Sequence, residues 1–180
     1  MATIETERLI LRPLTERDLD DLVAAINDFQ IVRNTARIPF PYGRQDAEDY
    51  LALTRKAGPN DLHLSIALKE TPTRVVGGAS AEGGPDDAEL GYWIARPLWG
   101  RGYVSEAARA VTSHIFQYTE YDRVVAGYRI GNEASRRILA KLGFEPTHED
   151  MIESRGVGYL VPVMRMILSR KAWEESGSRR

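Results

Sequence analysis

Trp99-Gly100-Arg101-Gly102-Tyr103-Val104-Ser105 is the stretch on which the reading of this chain turns. Before it, Glu89 to Ile94 has the composition of a strand. After it, Val104, Ala107, Ala108, Val111 and Ile115 form a continuous apolar stripe, which predicts a helix over Ser105 to Tyr118. A strand-to-helix turn with glycines at 100 and 102 can expose successive backbone N–H groups, because glycine adopts conformations other residues avoid. The helix adds its own unpaired N–H groups and the positive end of its dipole, so the turn suits a phosphate. The spacing narrows the choice of nucleotide. There is no Gly-x-x-x-x-Gly-Lys-Ser/Thr, which leaves a P-loop unsupported, and Ser105 stands where a dinucleotide fingerprint wants its third glycine. Asp122 precedes the next strand instead of ending it, so it is badly located for a ribose. On glycine spacing alone, a plain tight connection between strand and helix fits equally well.

Outward from the turn, the periodicities give an ordered set of elements. Arg8 to Leu14 reads as a strand with Leu9 and Leu11 on one face, stopped at Pro13. Thr15-Glu16-Arg17-Asp18 resembles a capping box, and Leu19, Leu22, Val23 and Ile26 follow at helical spacing. Beyond an irregular stretch with Pro39, Pro41 and Gly43, a second helix is predicted over Asp46 to Lys56. Leu62, Leu64, Ile66 and Leu68 alternate strictly, Arg74 to Ala81 is a strand loosened by Gly77-Gly78, and Glu89 to Ile94 completes an antiparallel meander. Arg123 to Ile130 reads as a strand, Ala134 to Leu142 as a helix closed by Gly143, Thr147 to Glu153 as a weak strand and Leu160 to Leu168 as a final strand. The fold class expected is α/β: a mixed, mostly antiparallel central sheet flanked by helices. Residues 1–173 are read as a single domain, and 174–180 as a polar, frayed C-terminal tail.

Composition bounds the chemistry. At 180 residues, with 43% hydrophobic and 28% charged residues, the chain can bury one core without staples. A net charge of -2 gives no general electrostatic reason for a nucleic-acid or membrane partner. The absence of cysteine excludes disulfides, thiolate metal sites and a cysteine nucleophile, so thiol chemistry must come from a cofactor. His63, His114 and His148 are scattered without ligand or triad spacing, and no metal is expected. No stretch approaches membrane-spanning length and the start carries no basic region before an apolar run, so a cytoplasmic location is expected.

Three ordered motifs carry a family resemblance. Glu89-Leu90-Gly91-Tyr92-Trp93-Ile94 with Trp99 to Ala107 resembles the acyl-CoA-binding motif of the GNAT acyltransferase superfamily. Asn132-Glu133-Ala134-Ser135 with Lys141-Leu142-Gly143-Phe144 is similar to that superfamily's next motif. The opening Thr6-Glu7-Arg8-Leu9-Ile10-Leu11-Arg12-Pro13 resembles the start of its ribosomal-protein N-acetyltransferase-like branch. What the resemblance implies is a GNAT fold, with acetyl-CoA as acyl-donor cosubstrate. Tyr92, Trp93 and Ile94 would line its pantetheine arm, and the N–H groups of Gly100, Gly102, Val104 and Ser105 would take the pyrophosphate, with Arg101 adding charge. Two departures stand out: Trp99 replaces the superfamily's Gln or Arg, and β-branched Val104 replaces Gly or Ala and narrows the room beside the phosphate.

The implied reaction moves an acetyl group directly from the thioester to a primary amine in a ternary complex. Such an amine has a pKa of about 10 and must shed a proton. Glu89 is the base candidate by resemblance, with a solvated strand-end carboxylate beside Asp86 and Asp87 as the other reading. The tyrosine that often protonates the leaving thiolate is replaced by Leu139. The branch resembled assigns that role to the serine here numbered Ser135, while Asn132 would bind pantetheine or order a water; both residues also suit helix capping. A backbone N–H near Trp93 or Ile94 would stabilise the oxyanion. The acceptor, a protein N-terminus or small-molecule amine, would sit between the first two helices, their connection Arg37 to Arg44 with Phe40 and Tyr42, and the loop Glu153 to Tyr159. A non-catalytic acyl-CoA-binding or sensing module is the alternative. Homodimerisation rests on the resemblance alone.

Overall fold

A computed structural model describes residues 2–177. Strand β1 (Ile4–Glu5) pairs with β2 (Leu9–Pro13), whose Leu9 and Leu11 are completely buried, as the alternation predicts. Each such leucine contributes about 1.5–3 kcal/mol of burial. Helices α1 (Leu19–Ile26), α2 (Phe29–Val32) and α3 (Arg44–Arg55) follow. Asp18 closes the predicted capping box, accepting from the backbone N–H and hydroxyl of Thr15 at 2.8 and 2.7 Å. Its two oxygens also take a bidentate grip from Arg12 at 2.8 and 2.7 Å, which ties β2 to the entry of α1.

The meander is β3 (Leu62–Leu68), β4 (Thr71–Gly83) and β5 (Ala88–Ile94). Then come α4 (Tyr103–Tyr118), β6 (Arg123–Arg129), α5 (Glu133–Leu142), β7 (Glu145–Ser154), β8 (Tyr159–Ser169) and α6 (Arg170–Gly177). All strands join one sheet in the order β1-β2-β3-β4-β5-β6-β8-β7, with β5–β6 its one parallel pair among the described residues. The main core lies between the sheet and the α4/α5 layer, where Val111, Ala107, Ala108 and Leu139 are fully buried. A smaller core under α1 and α3 covers the opposite face. This is the mixed, mostly antiparallel sheet flanked by helices that the periodicity predicts.

Three short elements lie outside the sequence reading. β1 and α2 span two and four residues, about a single period each, so neither can show a repeating hydrophobic pattern. α6 carries into the stretch expected to fray, and reaches Gly177. Trp173 is the reason: its ring meets Phe116 at 6.1 Å between centroids and Arg109 lies over it at 5.8 Å, which docks the helix on the main core. Residues 178–180 of the expected tail lie outside the described residues. The weak strand is longer than expected, ten residues in β7, because β8 supplies a continuous partner for a mostly exposed sequence. Among the described residues no helix is long and apolar enough to cross a membrane.

Candidate active site

The site begins where two strands part. β5 pairs with β6 only through Ala88, Leu90 and the residue between them, opposite Val124 to Ala126. From Gly91 onward β5 stays with β4, while Gly127 to Arg129 stay with β8. Between the diverging strands lie backbone edges without a ladder, and such groups require a partner. An extended ligand with amides of its own is suited to supply it.

Strand alternation divides the residues of β5 between the two faces. Ala88, Leu90 and Tyr92 pack with the α4/α5 core, whereas Trp93 packs with the smaller core under α1 and α3. Ile94 is 4% exposed, so its side chain is core and only its backbone can reach a ligand; its carbonyl accepts from the Trp99 indole N–H at 2.9 Å. Trp93 is seated over Gly78, where a Cβ would stand 2.6 Å from the indole Nε1. Of the Gly77-Gly78 pair that loosens the pattern of β4, Gly78 is thus the floor under this tryptophan, while Gly77 lies against the backbone of Trp93 and Ile94.

The glycine-rich turn has the conformation its sequence calls for. Gly100 and Gly102 adopt φ of 77° and 81°, in the left-handed region. Gly102 is the N-cap of α4, which begins at Tyr103, two residues before the predicted start at Ser105, and no side chain caps the helix. The first intrahelical bond runs from Glu106 N–H to the Gly102 carbonyl, so the amides just before it, those of Val104 and Ser105 included, are available to an anion, whereas the Trp99 N–H is taken by the Arg96 carbonyl. A Cβ at Gly100 would meet nothing within 4 Å, which marks open space beside the turn. Arg101 is exposed at its rim.

What braces the turn was not read from sequence. Glu106, in the first turn of α4, accepts from the Thr6 hydroxyl at 2.6 Å, the Arg8 backbone N–H at 2.8 Å and Arg8 Nε at 2.7 Å. Arg8 Nη1 also donates to the Arg101 carbonyl at 3.0 Å, and its guanidinium lies 4.6 Å from the Tyr103 ring centroid. Burial alone would raise the Glu106 pKa, yet the hydrogen bonds from Thr6 and Arg8 hold it below the usual carboxylate range. The Thr6-Glu7-Arg8 opening is therefore tied to the phosphate-suited turn almost a hundred residues later.

At the wedge, Tyr92 Oη and Ser135 Oγ lie 2.8 Å apart. Burial raises the Tyr92 phenol to about 12, against a smaller lowering by the Ser135 hydrogen bond, so it carries its proton at neutral pH. Asn132 caps α5, its Oδ1 accepting from Ser135 N–H at 3.2 Å, which leaves its side-chain NH2 for another partner. Leu139 is fully buried in the main core. The phenol missing from α5 thus has a counterpart reaching in from β5.

On the other face, a cavity of about 520 Å³ runs from α1 and α3 across β5 to the β7–β8 turn, lined by Ile26, Ile38, Tyr42, Tyr50, Trp93 and Arg155 among others. The expected acceptor walls do meet here. Tyr42 lines the cavity, but Phe40 does not: it is 42% exposed and packs on Phe29 at 5.3 Å between centroids. Glu89 faces this cavity with both oxygens engaged, Oε1 by Arg165 at 3.0 Å and Oε2 by Arg37 at 3.3 Å. Arg37 also pairs with Glu82, and Arg165 with Asp150 at 3.1 Å, giving an alternating chain of five charges. Neither arginine carries a sequence signal, since each lies far from Glu89 along the chain.

The family model described as an acetyltransferase (GNAT) domain matches residues 8–145, from the start of β2 into β7. The chain belongs to the GNAT acetyltransferase family. This GNAT chain is 31% identical over 157 residues to the protein named uncharacterized N-acetyltransferase p20 of Bacillus licheniformis, covering 81% of itself and 83% of that protein. Among solved structures it resembles a spermidine N-acetyltransferase from Vibrio cholerae in complex with CoA and spermine, at a TM-score of 0.77 and 16% identity, covering 94% of this chain and 99% of that one. A ribosomal L7/L12 alpha-N-protein acetyltransferase, RimL, in complex with coenzyme A gives the same TM-score and identity, over 95% and 99%. At such identities the structures speak for the fold.

Proposed function

We propose that this GNAT chain transfers an acetyl group from acetyl-CoA to a primary amine within a ternary complex. The observation that carries the reading is the parting of β5 from β6 beside an uncapped, glycine-rich helix start, which suits an extended ligand ending in a pyrophosphate. The residues fit it: positive-φ Gly100 and Gly102, the amides through Ser105, Arg101 for charge, and Tyr92, the Trp93 and Ile94 backbone and Asn132 along the arm. Val104 contributes its amide while its β-branched side chain narrows the turn. Acetyl-CoA would supply the activated acyl group as a thioester.

The chain's own residues would then manage position and protons. The cavity beside Trp93 holds the amine near the wedge, and positioning of this kind supplies much of the rate. Glu89 receives the amine's proton, directly or through a water, while Arg37 and Arg165 fix its carboxylate. Ser135 Oγ donates a hydrogen bond to the leaving sulfur, oriented by the protonated Tyr92 phenol. The N–C bond forms, the C–S bond breaks, and the proton the amine loses is, in net, the one the sulfur gains. A cytoplasmic location goes with this reading, with cell fractionation as its check.

The saturated carboxylate of Glu89 and the buried Leu139 also favour a second reading, a module that binds acyl-CoA without turnover. Release of free thiol from acetyl-CoA, measured across a panel of amines and peptides, separates the two. Turnover with Glu89→Gln reduced about 10²-fold supports the enzyme and its base. Tight CoA binding with no thiol release from any acceptor supports the module.

A further inference from the structure

Resting on the acetyltransfer reading, we infer that the acceptor is an amine carrying an anionic group, a carboxylate or phosphate, received by Arg33, Arg129 and Arg155. All three line the 520 Å³ cavity, at the end where α2, β6 and the β7–β8 turn meet. The chain itself brings them together: Arg129 Nη1 donates to the Arg33 carbonyl at 2.8 Å, and the Arg155 N–H donates to the Ala36 carbonyl at 2.8 Å. Among the described residues no carboxylate pairs with any of the three guanidinium groups.

The contrast with their neighbours carries the inference. Arg37 and Arg165 line the same cavity, and each is neutralised by two acids, Glu82 and Glu89 or Glu89 and Asp150. The acids of the α3 wall are occupied locally, Asp46 by the Gly43 N–H at 2.9 Å and Asp49 by Gln45 Nε2 at 3.0 Å. Three like charges facing one concave space repel each other and focus a positive potential there. Guanidinium forks match carboxylate and phosphate oxygens, and such an anion relieves the repulsion. A polyamine, cationic along its length, meets the opposite of what it needs at this end.

The test is calorimetric titration of the CoA-bound protein with four probes: the dipeptide Ala-Glu, O-phosphoethanolamine, Ala-Gln amide and spermidine. The expected result is that Ala-Glu or O-phosphoethanolamine binds at least about tenfold tighter than Ala-Gln amide and spermidine. Which of the two leads identifies the anion. The double variant Arg33→Ala/Arg155→Ala removes two exposed side chains and leaves Arg129 in its backbone bond; it should abolish the preference with CoA affinity unchanged. Equal binding of all probes, tighter spermidine binding, no binding by any probe, or a preference that survives the double variant would each overturn the inference. If CoA still binds and thiol is still released with a neutral amine, acetyltransfer stands while the anionic acceptor falls.

Discussion

Ser135 is both a helix-cap residue and a hydroxyl aimed at a phenol, and the two roles use different atoms: its N–H serves the Asn132 cap and its Oγ meets Tyr92. Ser135→Ala should therefore lower kcat about 10²-fold while leaving the cap and the acetyl-CoA KM nearly unchanged, checked by steady-state kinetics. Tyr92→Phe keeps the ring and loses the orienting hydroxyl, so a smaller fall, about tenfold in kcat, is expected. If Ser135→Ala retains full kcat, the hydroxyl is structural. Gly100 makes a different kind of contribution. Its φ of 77° strains any other residue, by roughly 1–2 kcal/mol, in a turn whose amides must converge. Gly100→Ala should raise the CoA Kd about tenfold, read by calorimetry.

The sequence told the two glycines apart from their neighbours because backbone conformation is a local demand, and it marked Asn132 and Ser135 through the family resemblance. It could not connect Tyr92 to Ser135, or Glu89 to Arg37 and Arg165. Those partners lie 43, 52 and 76 residues apart, on a helix, a loop and a strand, and only the tertiary fold brings them within reach.

Between elements, two carboxylates hold the N-terminal strand to helices. Glu106 binds the Thr6-Arg8 segment to the head of α4, so Glu106→Gln should loosen the turn and raise the CoA Kd, about tenfold, more than it lowers stability. Paired CoA titration and urea melts distinguish the two effects. Asp18 joins β2 to α1 and is 3% exposed. Burial pushes its pKa up, but the bonds from Arg12 and Thr15 outweigh that and hold it below its usual 3.8. A depressed carboxylate contributes stability that is present above its unfolded pKa and lost as pH falls through the folded one. Asp18→Asn should cost about 3 kcal/mol near neutrality, because it leaves Arg12 without its charge partner. It should also flatten the loss of stability below about pH 4, measured by urea melts against pH. An unchanged acid slope would assign that loss to other groups.

For the whole molecule, the wedge and the turn make the two-faced sheet into a crossing point. The turn and the Tyr92–Ser135 pair sit toward α4 and α5, and the 520 Å³ cavity toward α1 and α3. Ligand on one side should stabilise the entire fold, since it bridges β5, α4 and α5. Coenzyme A at a hundred times its Kd should add about 2.7 kcal/mol and raise Tm by about 5 °C or more, while NAD leaves it unchanged. A shift with NAD alone would overturn the cofactor reading.

The sequence by itself determined the longer elements and the family resemblance, though not β1, α2 or α6: alternation marked the strands of the meander, helical periodicity marked α1, α3, α4 and α5, and the order of three motifs carried the acyltransferase resemblance. These are signals of short range, carried by a few residues each. The tertiary structure decided the rest: the point after Leu90 where β5 leaves β6, the clamp of Thr6 and Arg8 on Glu106, the phenol beside Ser135, and the cavity arginines that no carboxylate among the described residues pairs with. Strand pairing and cavity charge depend on which distant residues meet, and a linear pattern fixes which face a side chain takes without fixing what stands opposite it.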